Sequence, residues 1–378
     1  MIDFTFTEEQ ELFRQAANEF AEAHVAPKVK EMEETGEPSE EVIKALAEAE
    51  MMALTVPEEN GGLGLGYTAR LIALEEISKV SVATGMTLQI FGLGIEPIVK
   101  FGTDEQKEKY LPALAKGERL ATVAVTEPTG GSDPKSCRTI YEEDGDDYII
   151  TGRKCFITNS HVADTVVVMA VDADDDEAFS AFIVEKGMEG FKPTHVEHKV
   201  GMRGCNTGEL SFEGCRVPKA NLLGGEGKGM RVAMASISEV GRGGMIGSAL
   251  GLHAACLDVS IKFAKERELY GKPISALQTI QNKIADIKID LEAGRLLGYR
   301  AVAMQDQGIR AGNEFAVAKY FTTEAAQRAA KVAADIHGGY GCMEEYDVTR
   351  YYRDAIVLGP SAGTSDIMKV IISRWALS

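Results

Sequence analysis

The stretch Leu120-Ala121-Thr122-Val123-Ala124-Val125-Thr126 decides the fold, because the texture of the chain changes there. Upstream of it, apolar residues recur at helical spacing. Leu12, Phe13, Ala16, Phe20, Ala21 and Val25 follow a capping box made by Thr7 and Gln10. A second helix runs through EEVIKALAEAEMMAL, a Gly-rich loop PEENGGLGLG follows, and two more amphipathic runs lead to a helix opened by Thr103 with Gln106. From about residue 118 the pieces become short and β-rich: LATVAVT, DYIITG, KCFITN, DTVVVMAV, SAFIVE and TGELSFEG, separated by turn residues such as Glu-Asp-Gly and Asn-Thr-Gly. This texture ends near Leu223. From Gly227 long helical runs return, through GMIGSALGLHAACLDVSIKFAKE, LQTIQNKIADIKIDLEAGRLLGYRAVAMQDQ and EFAVAKYFTTEAAQRAAKVAADIHGG. The spacing predicts an α+β chain of three parts: a helical region over 1–117, a β domain over 118–224 and a helical bundle over 225–378. It is not the alternating strand-helix order of a dinucleotide-binding α/β fold.

Bulk properties narrow the class. At 378 residues the chain can bury a large core in two or three domains. Its 58 acids against 40 bases give a formal charge of -18, which disfavours nucleic acid and anionic membrane as partners, since both need a basic face. Cysteines 137, 155, 205, 215, 256 and 342 form no CxxC pair, so neither a zinc site nor a redox dithiol is signalled, and reduced thiols are expected. The start, MIDFTFTEEQELF, carries acids where a signal peptide carries bases, and no stretch reaches the ~18 apolar residues of a membrane span. A cytoplasmic location is expected.

Some motif-like stretches carry no chemistry. Gly224-Gly225-Glu226-Gly227-Lys228-Gly229 has Gly where a phosphate loop needs Ser or Thr after the Lys, so a tight turn leading into a helix is expected. The glycines from 61 to 66 lack dinucleotide-fingerprint spacing. His195 and His198 would point to opposite faces of a strand, which argues against a metal site; none is expected.

Four separated motifs do carry chemistry. Val125-Thr126-Glu127-Pro128-Thr129-Gly130-Gly131-Ser132-Asp133 ends a strand in an exposed, Gly-rich loop whose donors can reach an electron-rich ring. Phe156-Ile157-Thr158-Asn159 ends another. Arg267-Glu268-Leu269-Tyr270-Gly271-Lys272-Pro273 precedes Gln278, and His337-Gly338-Gly339-Tyr340-Gly341 precedes Arg353-Asp354. In this order, over residues 7 to 370 or so, they resemble the acyl-CoA dehydrogenase family. The resemblance implies a helical N-terminal domain, a middle β-barrel or sandwich and a C-terminal four-helix bundle. It also implies FAD as cofactor, contacted by Val125, Thr126, Gly131, Ser132, Phe156, Thr158, Arg267, Tyr270, Gln278, Gly338, Gly339, Gly341, Thr364 and Asp366. Thr158 would donate near the flavin N5 and O4, where a donor stabilises negative charge on reduced flavin. Arg267 and the 337–341 turn would complete a neighbouring subunit's site, so a homotetramer, or at least a dimer, is implied.

One departure stands out. Where the family reads Tyr-Glu-Gly-Thr, this chain has Ser361-Ala362-Gly363-Thr364. The family Glu is the base that removes the α-proton, and alanine cannot take a proton. Some members carry that Glu immediately before the Arg in the run that here reads Ser238-Glu239-Val240-Gly241-Arg242; that position is Gly241. Glu239 lies two residues earlier, ~200° around an α-helix, so it does not substitute. By resemblance Glu239 and Arg242 lie on the CoA side, and Ser132 and Gly363 also touch substrate. Glu96 shares a helix face with Gln89 and Leu93 and is a further candidate base, although a solvated or capped helix acid is the preferred reading. The catalytic acid or base is therefore unassigned.

The resemblance implies α,β-desaturation of an acyl-CoA thioester, with electrons passed to an electron-transfer flavoprotein. Two alternatives stay open: enoyl-CoA reduction, in which a weaker proton source at Cα suffices, and other flavin chemistry on an acyl-CoA, such as elimination or desulfination. Replacing Tyr-Glu with Ser-Ala also frees space for a bulkier acyl group.

Overall fold

The computed structural model describes residues 5–378. Six helices come first: α1 (Glu8–Phe20), α2 (Val29–Thr35), α3 (Glu40–Glu48), α4 (Gly66–Val80), α5 (Val82–Phe101) and α6 (Asp104–Ala115). Their starts follow the chemistry of helix ends, which leave backbone N–H groups without intrahelical partners. Thr7 and Thr103 each form a complete capping box, with Gln10 and Gln106 returning a bond to the cap backbone. Ser39 and Ser81 cap α3 and α5 in the same way.

The middle region is one eight-stranded sheet: β1 (Ala121–Ala124), β2 (Ile140–Asp144), β3 (Asp147–Thr158), β4 (Thr165–Asp172), β5 (Phe179–Glu185), β6 (Phe191–Val196), β7 (Thr207–Pro218) and β8 (Leu222–Leu223). The order is β6-β7-β3-β2-β4-β5-β8, with β1 parallel to β4. The end strands β6 and β8 do not pair with each other, and side chains from β1, β2, β3, β4, β5 and β7 pack into one shared interior. The sheet's inner face buries Tyr141, Tyr148, Ile150, Phe182, Leu210 and Phe212.

The remaining helices are α7 (Gly229–Ala235), α8 (Arg242–Glu266), α9 (Gln278–Asp306), α10 (Gly312–His337), α11 (Asp347–Leu358) and α12 (Ser365–Leu377). A small hairpin, β9 (Glu268–Leu269) and β10 (Lys272–Pro273), separates α8 from α9. Helices α8 to α11 share one apolar core. Glycine lets α8 approach α4 closely: a Cβ on Gly247 would lie 2.7 Å from Leu74 Cβ, and one on Gly251 would overlap the Glu75 carbonyl. The glycine stretch 224–228 is a turn entering α7, with Tyr148 donating to Glu226 at 2.7 Å.

Two helical stretches, Val82–Phe101 and Gly229–Glu266, are long and apolar enough by length and composition to cross a membrane, each with mean hydropathy 1.4. That corrects the expectation that none is: small Gly, Ala, Ser and Thr residues keep both stretches apolar on average without long unbroken apolar runs. They are 78% and 83% buried inside the protein, the signature of helices that are apolar all round because they are core.

Candidate active site

The first two motifs meet at one end of the sheet. The Thr126 carbonyl accepts the Cys155 N–H at 3.0 Å, and the Thr122 hydroxyl donates to the Thr158 carbonyl at 2.8 Å. A register shift between β3 and β7, from Lys154 to Ile157, spans residue 156. Such bulges re-aim side chains. Phe156 accordingly takes φ +55 and is 63% exposed, next to residues 157 and 159, which are buried. Gly131 and Ser132 are exposed in the adjoining loop.

A buried ion pair underlies both motifs. The Lys154 ammonium donates to Glu127 at 2.6 Å and to the Val125 carbonyl at 3.3 Å. Glu127 also accepts the backbone N–H groups of Arg138 at 2.6 Å and Thr139 at 3.0 Å. Burial alone would raise its pKa, but Lys154 and these donors hold the carboxyl at about 2. Burial pushes the neighbouring Cys137 thiol up to about 11. This pair went unread in the sequence. Its one signal was a lysine at an inward position of β3.

The third and fourth motifs meet at the far end of the bundle. The Arg267 guanidinium lies over the Tyr340 ring, 5.6 Å from its centre. Tyr270, at the tip of the hairpin, is 89% exposed with φ +54, and Gln278 starts α9. Gly338 and Gly339 are open to solvent, whereas a Cβ on Gly341 would overlap the Ala334 carbonyl. Cys342 is the exposed cysteine; the other five are buried. Among the described residues no hydrogen bond, ion pair or ring contact joins this group to the first two motifs.

Helix α5 ties the sheet to the acid-free positions. Asn159 donates to the Thr87 carbonyl at 3.0 Å, and Gly94 lies so close to β1 that a Cβ would be 2.5 Å from Thr122 N. On its other side α5 faces residues Ser236–Gly241, which form a π-turn, not the regular helix assumed from sequence. A Cβ built on Gly241 would lie 3.6 Å from Ala362 Cβ and 3.7 Å from Leu93 Cδ1. The two positions where a base was sought therefore face one another, and neither holds an acid. Ala362 and Gly363 take φ +52 and +97, Thr364 caps α12, and Asp366 is exposed beside Lys369 at 3.7 Å.

Glu96 is not solvated, which corrects that reading. It is 2% exposed, accepts from the Tyr67 hydroxyl and pairs with Lys100 at 3.2 Å. Its partners lie one turn along α5 and on α4, so helical periodicity alone hid its burial. Glu239 points to Lys100 at 2.6 Å and to the Gln305 amide at 3.1 Å. Arg242 is 4% exposed; its Nη1 donates at 3.5 Å to the Gly312 carbonyl and its Nε is buried without a partner. Arg70, on α4, donates to the Val240 carbonyl at 3.4 Å and to both the backbone and side-chain oxygens of Gln89. Lys319, on α10, is fully buried and donates to the Gly359 and Gly363 carbonyls at 2.7 Å each.

The exposed Phe156 ring beside one loop, and the exposed Tyr270 ring beside glycine turns open to solvent, are two separate surfaces whose chemistry fits a planar, phosphate-bearing cofactor such as FAD. Fold and site together define a flavin-dependent oxidoreductase acting on CH–CH bonds. Sequence profiles of the acyl-CoA dehydrogenase N-terminal, middle and C-terminal domains match residues 7–118, 122–215 and 227–377. The chain is 41% identical over 374 residues to an acyl-CoA dehydrogenase of Bacillus subtilis (98% of each chain), and 40% identical over 377 residues to an acryloyl-CoA reductase (NADH) of Anaerotignum propionicum (99% and 95%). A structure described as an electron transferring flavoprotein of Acidaminococcus fermentans superposes with TM-score 0.97 at 39% identity, covering all of both chains. An acyl-CoA dehydrogenase complexed with FAD from Bacillus anthracis superposes with TM-score 0.94 at 31% identity, covering all of this chain and 68% of that one. The chain belongs to the acyl-CoA dehydrogenase family and is an FAD enzyme.

Proposed function

We propose that this chain oxidises an acyl-CoA thioester at Cα–Cβ and passes the electrons to an electron-transfer flavoprotein. The observation that carries the reading is α5. It packs on β1, just ahead of the loop carrying Thr126 and Ser132, and on the facing pair Gly241 and Ala362, so a thioester held along it lies between the cofactor face and the proton-transfer positions. Bound FAD supplies the acceptor for the hydride from Cβ. Val125, Thr126, Gly131, Ser132, Phe156 and Thr158 hold it from one side. Arg267, Tyr270, Gln278, Gly338, Gly339, Gly341, Thr364 and Asp366 complete its binding, the bundle-end group from a neighbouring subunit of a homotetramer. Glu239, Arg242, Gly363 and Ser132 orient the thioester. Ala362 and Gly241 take no proton, so the Cα proton passes to water or to a carboxylate placed elsewhere, with Glu96 the candidate. A cytoplasmic setting suits this exchange.

The test is anaerobic mixing of the FAD-loaded enzyme with butyryl-CoA, followed by flavin absorbance. Slow bleaching is expected, weakened by roughly the 10²–10⁴ a general base contributes. An unperturbed flavin spectrum at saturating acyl-CoA would sink the reading; rapid bleaching would point to an unassigned base, with Glu96 the first residue to mutate.

The missing acids favour a second reading, enoyl-CoA reduction, supported by similarity to the reductase of Anaerotignum propionicum. Proton delivery to an electron-rich Cα tolerates a weak donor such as water. Reoxidation of prereduced enzyme by crotonyl-CoA faster than reduction by butyryl-CoA would select it.

A further inference from the structure

We propose that the acyl group accepted here carries its own carboxylate, seated among Arg70, Arg242 and Lys319 beside Gly241 and Ala362; the substrate class is a dicarboxylic acid monothioester. The inference rests on the acyl-CoA reading above.

Each of the three cations is anchored one residue from the facing pair. Arg70 holds the carbonyl of Val240, Arg242 follows Gly241, and Lys319 holds the carbonyl of Gly363. All are at least nine-tenths buried, at 7%, 4% and 0% exposure. None makes an ion pair among the described residues. Their acceptors are neutral carbonyls and one amide, and the Arg242 Nε has no acceptor at all.

The surrounding acids are committed elsewhere. Glu96 and Glu239 share Lys100, at 3.2 and 2.6 Å, and Glu324 accepts from the Ser365 hydroxyl at 2.6 Å. Burial holds Arg70 at about 10 and Lys319 at about 8, both below their ordinary values, and lowers Arg242 as well.

Removing a charge from water costs several kcal/mol unless an opposite charge and hydrogen bonds meet it. Here the fold supplies the hydrogen bonds and leaves out the opposite charge at both positions able to bear it. An anion arriving with the substrate supplies it. Glu96 acts on Arg70 and Glu324 on Lys319 only through space, so a neutral acyl chain would leave all three cations without an ion pair.

The experiment is titration of the FAD-loaded enzyme with succinyl-CoA, glutaryl-CoA and butyryl-CoA, read by calorimetry and flavin perturbation. Succinyl- or glutaryl-CoA should bind about tenfold or more tightly than butyryl-CoA, the effect of a buried charge pair. Arg242→Gln should remove that preference, read as the ratio of the affinities for the charged and neutral thioesters. Ala362→Glu, which places a carboxylate among the same cations, should reverse it and keeps the test alive if Arg242→Gln does not fold. Equal binding of charged and neutral thioesters, or an unaltered preference in Ala362→Glu, overturns this proposal while leaving the acyl-CoA reading intact. Binding of none of the three thioesters overturns both.

Discussion

On the sheet side of α5, Lys154 and Glu127 pair at 2.6 Å, and each further polar atom of the carboxylate meets a backbone donor or a thiol. On the bundle side, Arg70, Arg242 and Lys319 make no ion pair among the described residues and bond only neutral oxygens. The comparison teaches what each charge is for. Where charge holds backbone beneath the cofactor loop, the fold supplies both partners. Where charge faces the acyl chain, it supplies one sign only, and the balance waits on the ligand.

The largest expected change breaks the contrast from the bundle side. Ala362→Glu should speed anaerobic flavin reduction by butyryl-CoA by about 10²–10⁴, since the Ala362 Cβ lies 3.6 Å from where a Cβ on Gly241 would sit, the other position that carries the family's base. Stopped-flow absorbance measures it, and an unchanged rate would show that position 362 does not face Cα. Breaking the sheet side comes next. Lys154→Met leaves Glu127 buried and unpaired, which should cost about 3–5 kcal/mol in urea denaturation and weaken FAD retention. If stability holds but FAD is lost, the pair serves the loop alone.

The same pair has a pH signature. The Glu127 carboxyl sits at about 2 in the fold against its ordinary 4.5, so its contribution is complete above 4.5 and is lost as pH falls through that window towards 2. The loss should reach at most about 3 kcal/mol. Glu127→Gln should abolish this slope, measured as midpoint denaturant concentration against pH; a slope equal to that of the unmodified protein would assign it to other carboxylates. Smallest is Thr364→Ala, which removes the α12 cap and should cost about 1 kcal/mol.

Helix starts and the change to β texture were legible because they are local: Thr7, Thr103, and the strand-like run before Thr126 state their roles within a few residues. Motif order was enough to sort the residues that the resemblance assigns to FAD into two groups. The π-turn at Ser236–Gly241 was not legible, since its extra residue is absorbed by Gln89 bonds arriving from another helix. Glu96 was misread because burial depends on Tyr67, far away in sequence. The facing of Gly241 and Ala362 likewise joins residues over a hundred positions apart, which no spacing rule reaches.

The six thiols make the protein its own reporter. Cys137 and Cys215 sit at about 11 through burial, and Cys155 and Cys205 are also raised, so alkylation in the native state should stop at one equivalent, on exposed Cys342. That thiol follows Gly341 in the turn beside Arg267 and Tyr340. A dye there watches the bundle end alone, and a fall in its labelling rate as protein concentration rises would time subunit assembly without any engineered cysteine. More than one equivalent before unfolding would mean the core opens.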